Sequence, residues 1–133
     1  MGEALSPAGD STRCSVGSQL AGRAILVVED EPIIAFDIAY LLECVGAHVV
    51  TSPSLQGALT LVEADHWSAA VLDHLLNDGD STPICERLKE RDIPFLLYTS
   101  SDLNKGPCRD GVYLSKPAPA ALLVRTVEGL VQA

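Results

Sequence analysis

Charged and hydroxyl side chains stand directly after several apolar runs of the sequence. They are Glu29, Asp30 and Glu31 after "AILVV", Asp73 after "AAVL", Thr99 after "FLLY" and Lys116 after "VYLS". Carboxylates this close together repel one another unless a cation lies between them. A hard divalent cation such as Mg²⁺ takes one or two carboxylates and completes its shell with water and phosphate oxygens. The residue types therefore predict a magnesium site, with a hydroxyl and an ammonium at the same edge if the strands lie side by side.

Alternating strands and helices have to bring these distant residues together. Five apolar runs predict strands, namely "AILVVE", "AHVVTS", "AAVLDHLL", "IPFLLYTS" and "GVYLSKP". Helical patterns follow four of them, namely "PIIAFDIAYLLECVG", "LQGALTLVEADHW", "STPICERLKERD" and "APAALLVRTVEGLVQ". This alternation is typical of a parallel sheet with helices on both faces. Working sites of such sheets lie at the carboxyl ends of the strands, which is where the polar residues occur.

The ends of two helices are indicated by single residues. Pro32 favours the start of the first helix, and Gly46 favours its end. Ser81 or Thr82 is expected to cap the third helix, because a hydroxyl can accept a hydrogen bond from the first turn.

Composition predicts one acidic domain. The chain has 133 residues and a net charge of −9, from 18 acidic and 9 basic side chains. This charge argues against a basic surface for nucleic acid or for an anionic membrane. Residues 1–22 are rich in Gly, Ser, Pro and Ala without periodicity and are predicted to form a flexible leader. The folded domain is expected over residues 23–131.

The cysteines do not indicate a metal site. Cys14, Cys44, Cys85 and Cys108 have no CxxC spacing and do not cluster with histidines. The sequence lacks a secretion signal and an apolar run of membrane-spanning length. The protein is therefore predicted to be cytoplasmic, with free thiols.

Four segments carry a family resemblance. "VVEDEP", "VLDHLLNDG", "LLYTS" and "VYLSKP" resemble, in this order, the signature segments of the response-regulator receiver domain. The resemblance covers about residues 23–131. It implies a flavodoxin-like, doubly wound α/β fold with five parallel strands in the order 2-1-3-4-5. It also implies a cytoplasmic phosphoprotein of a two-component or phosphorelay system.

The resemblance implies how the phosphoryl group is handled. Asp73 is the expected acceptor, and Thr99 is expected to bind a phosphoryl oxygen. Lys116 is expected to pair with Asp73 and then with the phosphate. The domain would catalyse its own phosphorylation and dephosphorylation. Tyr113 is expected to change rotamer together with Thr99 on activation, and the peptide bond before Pro117 is expected to be cis.

A magnesium ion is the cofactor that the resemblance implies. Its expected ligands are Asp30, Asp73 and the backbone carbonyl of Leu75, with Glu29 acting through a water. The implied partners are a histidine kinase or histidine phosphotransfer protein, and a downstream protein reached by protein–protein contact. Neither nucleic acid nor a membrane is expected as a partner.

Two features depart from the common receiver pattern. Residues 100–115 are fewer than usual at this place and contain two glycines and a proline. The fourth helix of receivers, which lies between the fourth and fifth strands, is therefore expected to be shortened or replaced by a loop. "NDGDSTP" and "IPF" resemble the FAT GUY group of stand-alone receivers. Residues 97–101, "LYTSS", stand where that group has Phe-Ala-Thr-Gly-Tyr.

Other interpretations of the same residues remain open. The acids after the first strand can form a solvated helix start, Asp73 can be a turn residue, Lys116 a surface charge and Tyr113 a core residue. At the level of function, the alternatives are a flavodoxin-like interaction module that takes no phosphate and a receiver excised from a hybrid kinase. A magnesium-dependent phosphatase is disfavoured, because "EDEP" replaces the DxD pattern after the first strand. A stand-alone receiver can serve as an adaptor, a phosphate shuttle or a phosphate sink.

Overall fold

The computed structural model describes residues 19–100 and 106–132 of the chain. Within them, five parallel strands form one sheet, and their order across the sheet is 2-1-3-4-5. The strands are β1 (Ala24–Val28), β2 (His48–Ser52), β3 (Ala69–Leu72), β4 (Phe95–Thr99) and β5 (Val112–Ser115). This confirms the doubly wound, flavodoxin-like sheet that the sequence predicted.

Four α-helices in the described residues cover the two faces of the sheet. They are α1 (Pro32–Cys44), α2 (Leu55–Ala64), α3 (Thr82–Glu90) and α4 (Ala120–Gln132). Side chains of α1 and α4 pack with Ile25, Val27 and Tyr98 on one face. Side chains of α2 and α3 pack with Leu26 and Leu97 on the other face. Because successive strand residues point to opposite faces, a strand covered on both sides must be apolar throughout, as β1 is.

The helices have well-defined ends and moderate lengths. α1 begins at Pro32 as predicted, and the chain turns after it at Gly46, where φ is 95°, a value that favours glycine. The longest of the described helices, α1 and α4, have 13 residues each. None of the helices in residues 19–100 and 106–132 combines the length and apolar character needed to cross a membrane.

The cap of α3 differs from the prediction. Ser81 is the residue before the helix, but its side chain makes no capping hydrogen bond. Instead, Oδ1 of Asp80 accepts a hydrogen bond from the N–H of Thr82 at 2.9 Å. The side chain of Ser81 is buried, and its Oγ lies 3.8 Å from Sγ of Cys108. The tertiary contact therefore takes the hydroxyl away from the helix end.

A 3₁₀ helix over Gly106–Asp110 connects β4 to β5. This agrees with the prediction that the receiver helix between the fourth and fifth strands is shortened. Residues 101–105 of this connection lie outside the described residues. The 3₁₀ helix is attached to α3, because Lys89 forms an ion pair of 2.5 Å with Asp110. A disulfide between Cys85 and Cys108, both fully buried, makes a second attachment.

The expectation of free thiols is therefore wrong for two of the cysteines. Cys85 and Cys108 are 23 residues apart in the chain, a separation that carries no local signal of pairing. Contact between α3 and the 3₁₀ helix brings their side chains together. Cys44 is free and half-buried, whereas Cys14 lies outside the described residues.

Uncharged groups close part of the amino edge of the sheet, at which the strands begin. The N–H of Ser68 donates to the carbonyl of Ala24 at 2.8 Å. The indole N–H of Trp67 donates to the carbonyl of Leu61 at 2.8 Å, and the indole is 7% exposed. The polar groups of this part of the edge are thus paired within the protein.

Leu20 belongs to the core, although it falls in the predicted leader. It is completely buried and packs with the cluster between the sheet, α1 and α4. The carbonyl of Leu20 accepts a hydrogen bond from Arg23, and the N–H of Gly22 donates to Gly46, both at 2.9 Å. The folded part therefore includes residues 19–22, before the predicted start, while residues 1–18 of the predicted leader lie outside the described residues.

Candidate functional site

The parallel register places the ends of β1 and β3 side by side. Val28 is paired with Leu72, so the residues that follow them, Glu29 and Asp73, are neighbours. The N–H of Asp73 donates to the carbonyl of Val28 at 2.9 Å, and the N–H of Glu29 donates to the carbonyl of Ser52 at 3.0 Å. These bonds fix the backbone that carries the two acidic side chains.

Glu29, Asp30 and Asp73 form an acidic cluster at the carboxyl edge of the sheet, at which the strands end. One carboxylate oxygen of each lies within 4.8 Å of the others. Glu29 is only 2% exposed, whereas Asp30 and Asp73 are half-buried. Glu31, the third acid after β1, is exposed, and its backbone N–H donates to Oε2 of Glu29 at 3.2 Å. The structure thus brings together the three acids predicted to hold a metal.

Lys116 connects two members of the acidic cluster. Its Nζ lies 2.6 Å from Oε1 of Glu29 and 3.2 Å from Oδ2 of Asp73. The lysine side chain is 14% exposed, so solvent screens these contacts only partly. The bond between Lys116 and Pro117 is cis, as the resemblance implied. The sequence predicted the contact with Asp73 but not the shorter contact with Glu29.

The pKa values of Glu29 and Lys116 are both raised. The shift at Glu29 disfavours the charged form, whereas the shift at Lys116 favours it. Burial raises the pKa of Glu29 above its ordinary value, and this outweighs the hydrogen bond from Lys116, which lowers it. Burial alone would lower the pKa of Lys116, but the hydrogen bond to Glu29 and the charge of Asp73 raise it above its ordinary value. Lys116 is therefore a cation at neutral pH, held beside the predicted phosphoryl acceptor.

Thr99 and Tyr113, the predicted switch residues, lie on adjacent strands. Thr99 is the last residue of β4 and is 1% exposed, whereas Tyr113 in β5 is 36% exposed. Tyr113 is paired with Leu97, so the side chains of Tyr113, Leu97 and Thr99 share one face of the sheet. The exposure of Tyr113 contradicts its interpretation as a core residue.

A short antiparallel ribbon, Leu75–Leu76 with Gly79–Asp80, follows Asp73. Asp78 at its turn accepts hydrogen bonds from the N–H groups of Leu55 at 2.8 Å and Gln56 at 3.2 Å. These bonds attach the ribbon to the first turn of α2. The backbone carbonyl of Leu75, a predicted metal ligand, therefore belongs to an anchored segment.

The sequence interpretation did not identify Tyr98 as part of this region. Its side chain is 8% exposed, and its hydroxyl oxygen accepts a hydrogen bond from the N–H of Ala118 at 3.0 Å. Nζ of Lys116 lies 5.8 Å from the centroid of the Tyr98 ring. A cavity of about 500 Å³ between α1 and α4 is lined by both side chains. One feature of the sequence could have pointed to Tyr98, because this tyrosine stands where the FAT GUY group has alanine.

Solved structures provide the strongest similarity to known proteins. SdrG from Sphingomonas melonis Fr1 is 38% identical with a TM-score of 0.71, and the match covers 86% of this chain and 98% of SdrG. The receiver domain of the sensor histidine kinase PA1611 from Pseudomonas aeruginosa PAO1 is 25% identical with a TM-score of 0.75. That match covers 85% of this chain and 100% of the receiver, whose crystal structure has a magnesium ion coordinated in the active-site cleft.

Curated relatives agree with the structural comparison over a shorter region. The heme response regulator HssR of Staphylococcus aureus (strain JH9) is 36% identical over 78 residues, which are 58% of this chain and 35% of HssR. The chain spans about a third of the length of the curated relatives it matches. No protein-family model matches the chain. Membership of the FAT GUY group stays a prediction.

The fold, the strand-end residues and these similarities point to one family. The sheet order and the five strands are those expected from the resemblance. The similarity to SdrG extends over nearly the whole of that protein, and the other relatives are receiver or response-regulator proteins. The chain belongs to the family of response-regulator receiver domains.

Proposed function

We propose that this protein is a phosphoacceptor receiver that takes a phosphoryl group from a phosphohistidine onto Asp73, with Mg²⁺. The observation that carries the proposal is the placement of the Lys116 ammonium between the carboxylates of Glu29 and Asp73. An ammonium in this position both orients the acceptor and offsets the charge of an incoming phosphoryl group.

Asp73 is the proposed nucleophile. Its side chain is 13% exposed, so one face is open to a phosphodonor, while Oδ2 is held by Lys116. A carboxylate oxygen of Asp73 forms a bond to phosphorus, and the bond between phosphorus and the histidine nitrogen breaks with its electron pair leaving on the imidazole. The product on Asp73 is an acyl phosphate.

The acidic cluster fits a magnesium ion. Three carboxylates supply hard oxygen donors within 4.8 Å of one another, and Asp30 and Asp73 are half-buried and so leave room for metal-bound water. The proposed ligands are Asp30, Asp73 and the carbonyl of Leu75, with Glu29 acting through a water. When bound, Mg²⁺ neutralises charge on the phosphoryl oxygens during transfer.

Lys116 and Thr99 are proposed to bind the phosphoryl oxygens after transfer. The Lys116 ammonium already contacts Oδ2 of Asp73 at 3.2 Å, so it reaches a group attached to that side chain with little movement. The Thr99 hydroxyl stands at the end of the adjacent strand β4. Its recruitment would free space on the face it shares with Tyr113, which couples the acceptor to β5.

The proposed partners are a histidine kinase or histidine phosphotransfer protein, and a downstream protein reached by direct contact. A cytoplasmic location fits these partners. A flavodoxin-like interaction module that takes no phosphate is the alternative. The two functions differ in whether Asp73 gains a phosphoryl group.

Intact-protein mass spectrometry after incubation with acetyl phosphate and Mg²⁺ tests the proposal. The wild type is expected to gain one phosphoryl group, which is lost at alkaline pH as an acyl phosphate is. Asp73→Asn is expected to gain none, whereas the exposed Asp65→Asn serves as a matched control and gains one. No uptake by the wild type, or phosphate on Thr99 or a histidine, would contradict the assignment.

A further inference from the structure

The side chain of Tyr98, an aromatic ring with a polar hydroxyl, lies on the face of the sheet that α1 and α4 cover. It precedes Thr99 in β4 and packs in the cluster that contains Ile38 and Leu123. Tyr98 as a whole is 8% exposed, and the hydroxyl of a buried tyrosine usually has a hydrogen-bond partner within the protein. That partner is the turn that carries Lys116.

Two hydrogen bonds attach this turn to the end of β4. The N–H of Lys116 donates to the carbonyl of Thr99 at 3.1 Å, and the N–H of Ala118 donates to the hydroxyl oxygen of Tyr98 at 3.0 Å. Pro117 between them has no N–H to donate. Both backbone donors of residues 116–118 are therefore bonded to β4, one of them through the Tyr98 side chain.

The ring of Tyr98 makes a second contact with the same segment. Nζ of Lys116 lies 5.8 Å from the ring centroid, within the distance at which an ammonium is attracted to an aromatic face. The Lys116 side chain is 14% exposed, which reduces screening of this attraction by water. A lysine side chain is long and flexible, so contacts along its length determine where the ammonium lies.

We propose that Tyr98 is a positioning residue for Lys116, which it holds against the acceptor Asp73. The hydroxyl fixes the turn from which Lys116 extends, and the ring fixes the ammonium at the other end of the side chain. This inference rests on the proposed function, because the position of Lys116 matters for transfer to Asp73. Tyr98 itself contacts neither the acceptor nor the acidic cluster in the contacts described above.

Two variants separate the contributions of the hydroxyl and the ring. Tyr98→Leu removes both, and it is expected to lower the rate constant for phosphorylation by acetyl phosphate and Mg²⁺ by about threefold to tenfold. Tyr98→Phe keeps the ring and is expected to lose less. An unchanged rate in Tyr98→Leu would overturn the proposal.

A double-mutant cycle distinguishes positioning from a general structural effect. In a Lys116→Ala background, Tyr98→Leu is expected to cause no further loss, because the group it positions is absent. An equal fold loss with and without Lys116 would overturn the proposal. Comparison of the wild type with Asp73→Asn tests the proposed function separately. If the wild type gained no phosphate at Asp73, the proposed function would be contradicted, but the Tyr98 contacts would not.

NMR of the metal-free protein tests the contacts without any phosphoryl transfer. The ε-methylene protons of Lys116 are expected to be shifted by the ring current of Tyr98 in the wild type and in Tyr98→Phe. Amide exchange at Ala118 is expected to be faster in Tyr98→Phe than in the wild type. Absence of the ring-current shift in the wild type, or unchanged exchange at Ala118, would overturn the proposal even if Tyr98→Leu failed to fold.

Discussion

At the amino edge of the sheet the strands begin among apolar side chains and paired polar groups, which include the ion pair of Lys89 with Asp110. At the carboxyl edge, three acids cluster around a single ammonium. Ser68 and Trp67 pair with carbonyl groups at the amino edge. Glu29, Asp73 and Lys116 crowd together at the carboxyl edge, and burial raises the pKa of Glu29. One sheet thus has one edge whose polar groups are paired and one edge at which acidic side chains are buried close together.

The difference has a physical basis in desolvation. A buried carboxylate loses its hydration, and a nearby ammonium compensates only in part. At the carboxyl edge two carboxylates share the ammonium of Lys116, and a third, Asp30, lies within reach of the same space. Removal of a charge from the acidic cluster should therefore raise the free energy of unfolding, whereas disruption of the packing at the amino edge should lower it.

The largest effect is expected at the amino edge, at Gly111 just before β5. An added Cβ would collide with the ring of Phe95 and lie 2.9 Å from the carbonyl oxygen of Phe95. Gly111→Ala is therefore expected to lower the free energy of unfolding by about 3 kcal/mol, measured by urea denaturation. Phosphoryl uptake by the folded protein should remain.

Gly129→Ala provides the control for this substitution. Gly129 lies in α4. Apart from its chain neighbours and the backbone of its own helix, none of the described residues has an atom within 4 Å of the position of an added Cβ. This variant is expected to be more stable than the wild type by up to about 1 kcal/mol, because alanine favours helix. If Gly111→Ala proved as stable as Gly129→Ala, the close packing at the amino edge would not be stabilising.

Asp30→Asn tests the carboxyl edge. Removal of one negative charge from the acidic cluster relieves repulsion and is expected to raise the free energy of unfolding by about 1 kcal/mol without Mg²⁺. Calorimetry is expected to show that most of the magnesium affinity is lost. Glu43→Gln, on the exposed side of α1, is the control. If Asp30→Asn bound magnesium as tightly as the wild type, Asp30 would not be a magnesium ligand.

The pH dependence of stability tests the cost of burying Glu29. Its pKa in the folded protein lies above the ordinary 4.5, so between these two values the folded state holds a proton that the unfolded chain has lost. Stability of the wild type relative to Glu29→Gln should therefore fall as pH rises from below 4.5 through the folded pKa. A difference that stays constant over this range would mean that burial imposes no net cost on the Glu29 carboxylate.

Asp78 sharpens the comparison, because it is an acid near the carboxyl edge that stabilises the fold. The hydrogen bond from the N–H of Leu55, followed by that from Gln56, lowers its pKa below the ordinary 3.8. Its stabilising contribution is therefore present above pH 3.8 and is lost as pH falls through the folded pKa. Asp78→Asn is expected to have the smallest effect of the series, with a stability difference at pH 7 that shrinks in acid. A difference independent of pH would exclude the carboxylate charge as its source.

Local sequence patterns sufficed for the strands and for the acids that end them. Runs such as "AILVV" are apolar throughout because β1 is covered on both faces, and parallel strands necessarily bring Glu29 and Asp73 to one edge. The resemblance to receivers added the order of the strands and the expected role of Lys116. These inferences needed no knowledge of individual side-chain contacts.

Contacts between distant elements could not be predicted in the same way. The pairing of Cys85 with Cys108 depends on how the 3₁₀ helix lies on α3. Leu20 is a single apolar residue without periodicity around it, so its burial is decided by the cluster it joins. The contact of Tyr98 with Lys116 depends on the turn after β5, which packs against the end of β4. The type and position of either residue in the sequence do not indicate this contact.

The position of Trp67 determines what optical spectroscopy can detect in this protein. Trp67 is the one tryptophan of the chain, and its buried indole lies at the amino edge, about 20 Å of extended strand from Asp73. Its fluorescence should shift to longer wavelength when the core is exposed to water. Emission should stay nearly constant when phosphate or metal binds at the opposite edge. Intrinsic fluorescence is therefore a clean readout of unfolding, and a titration of the acceptor needs a dye or a tryptophan introduced near β5.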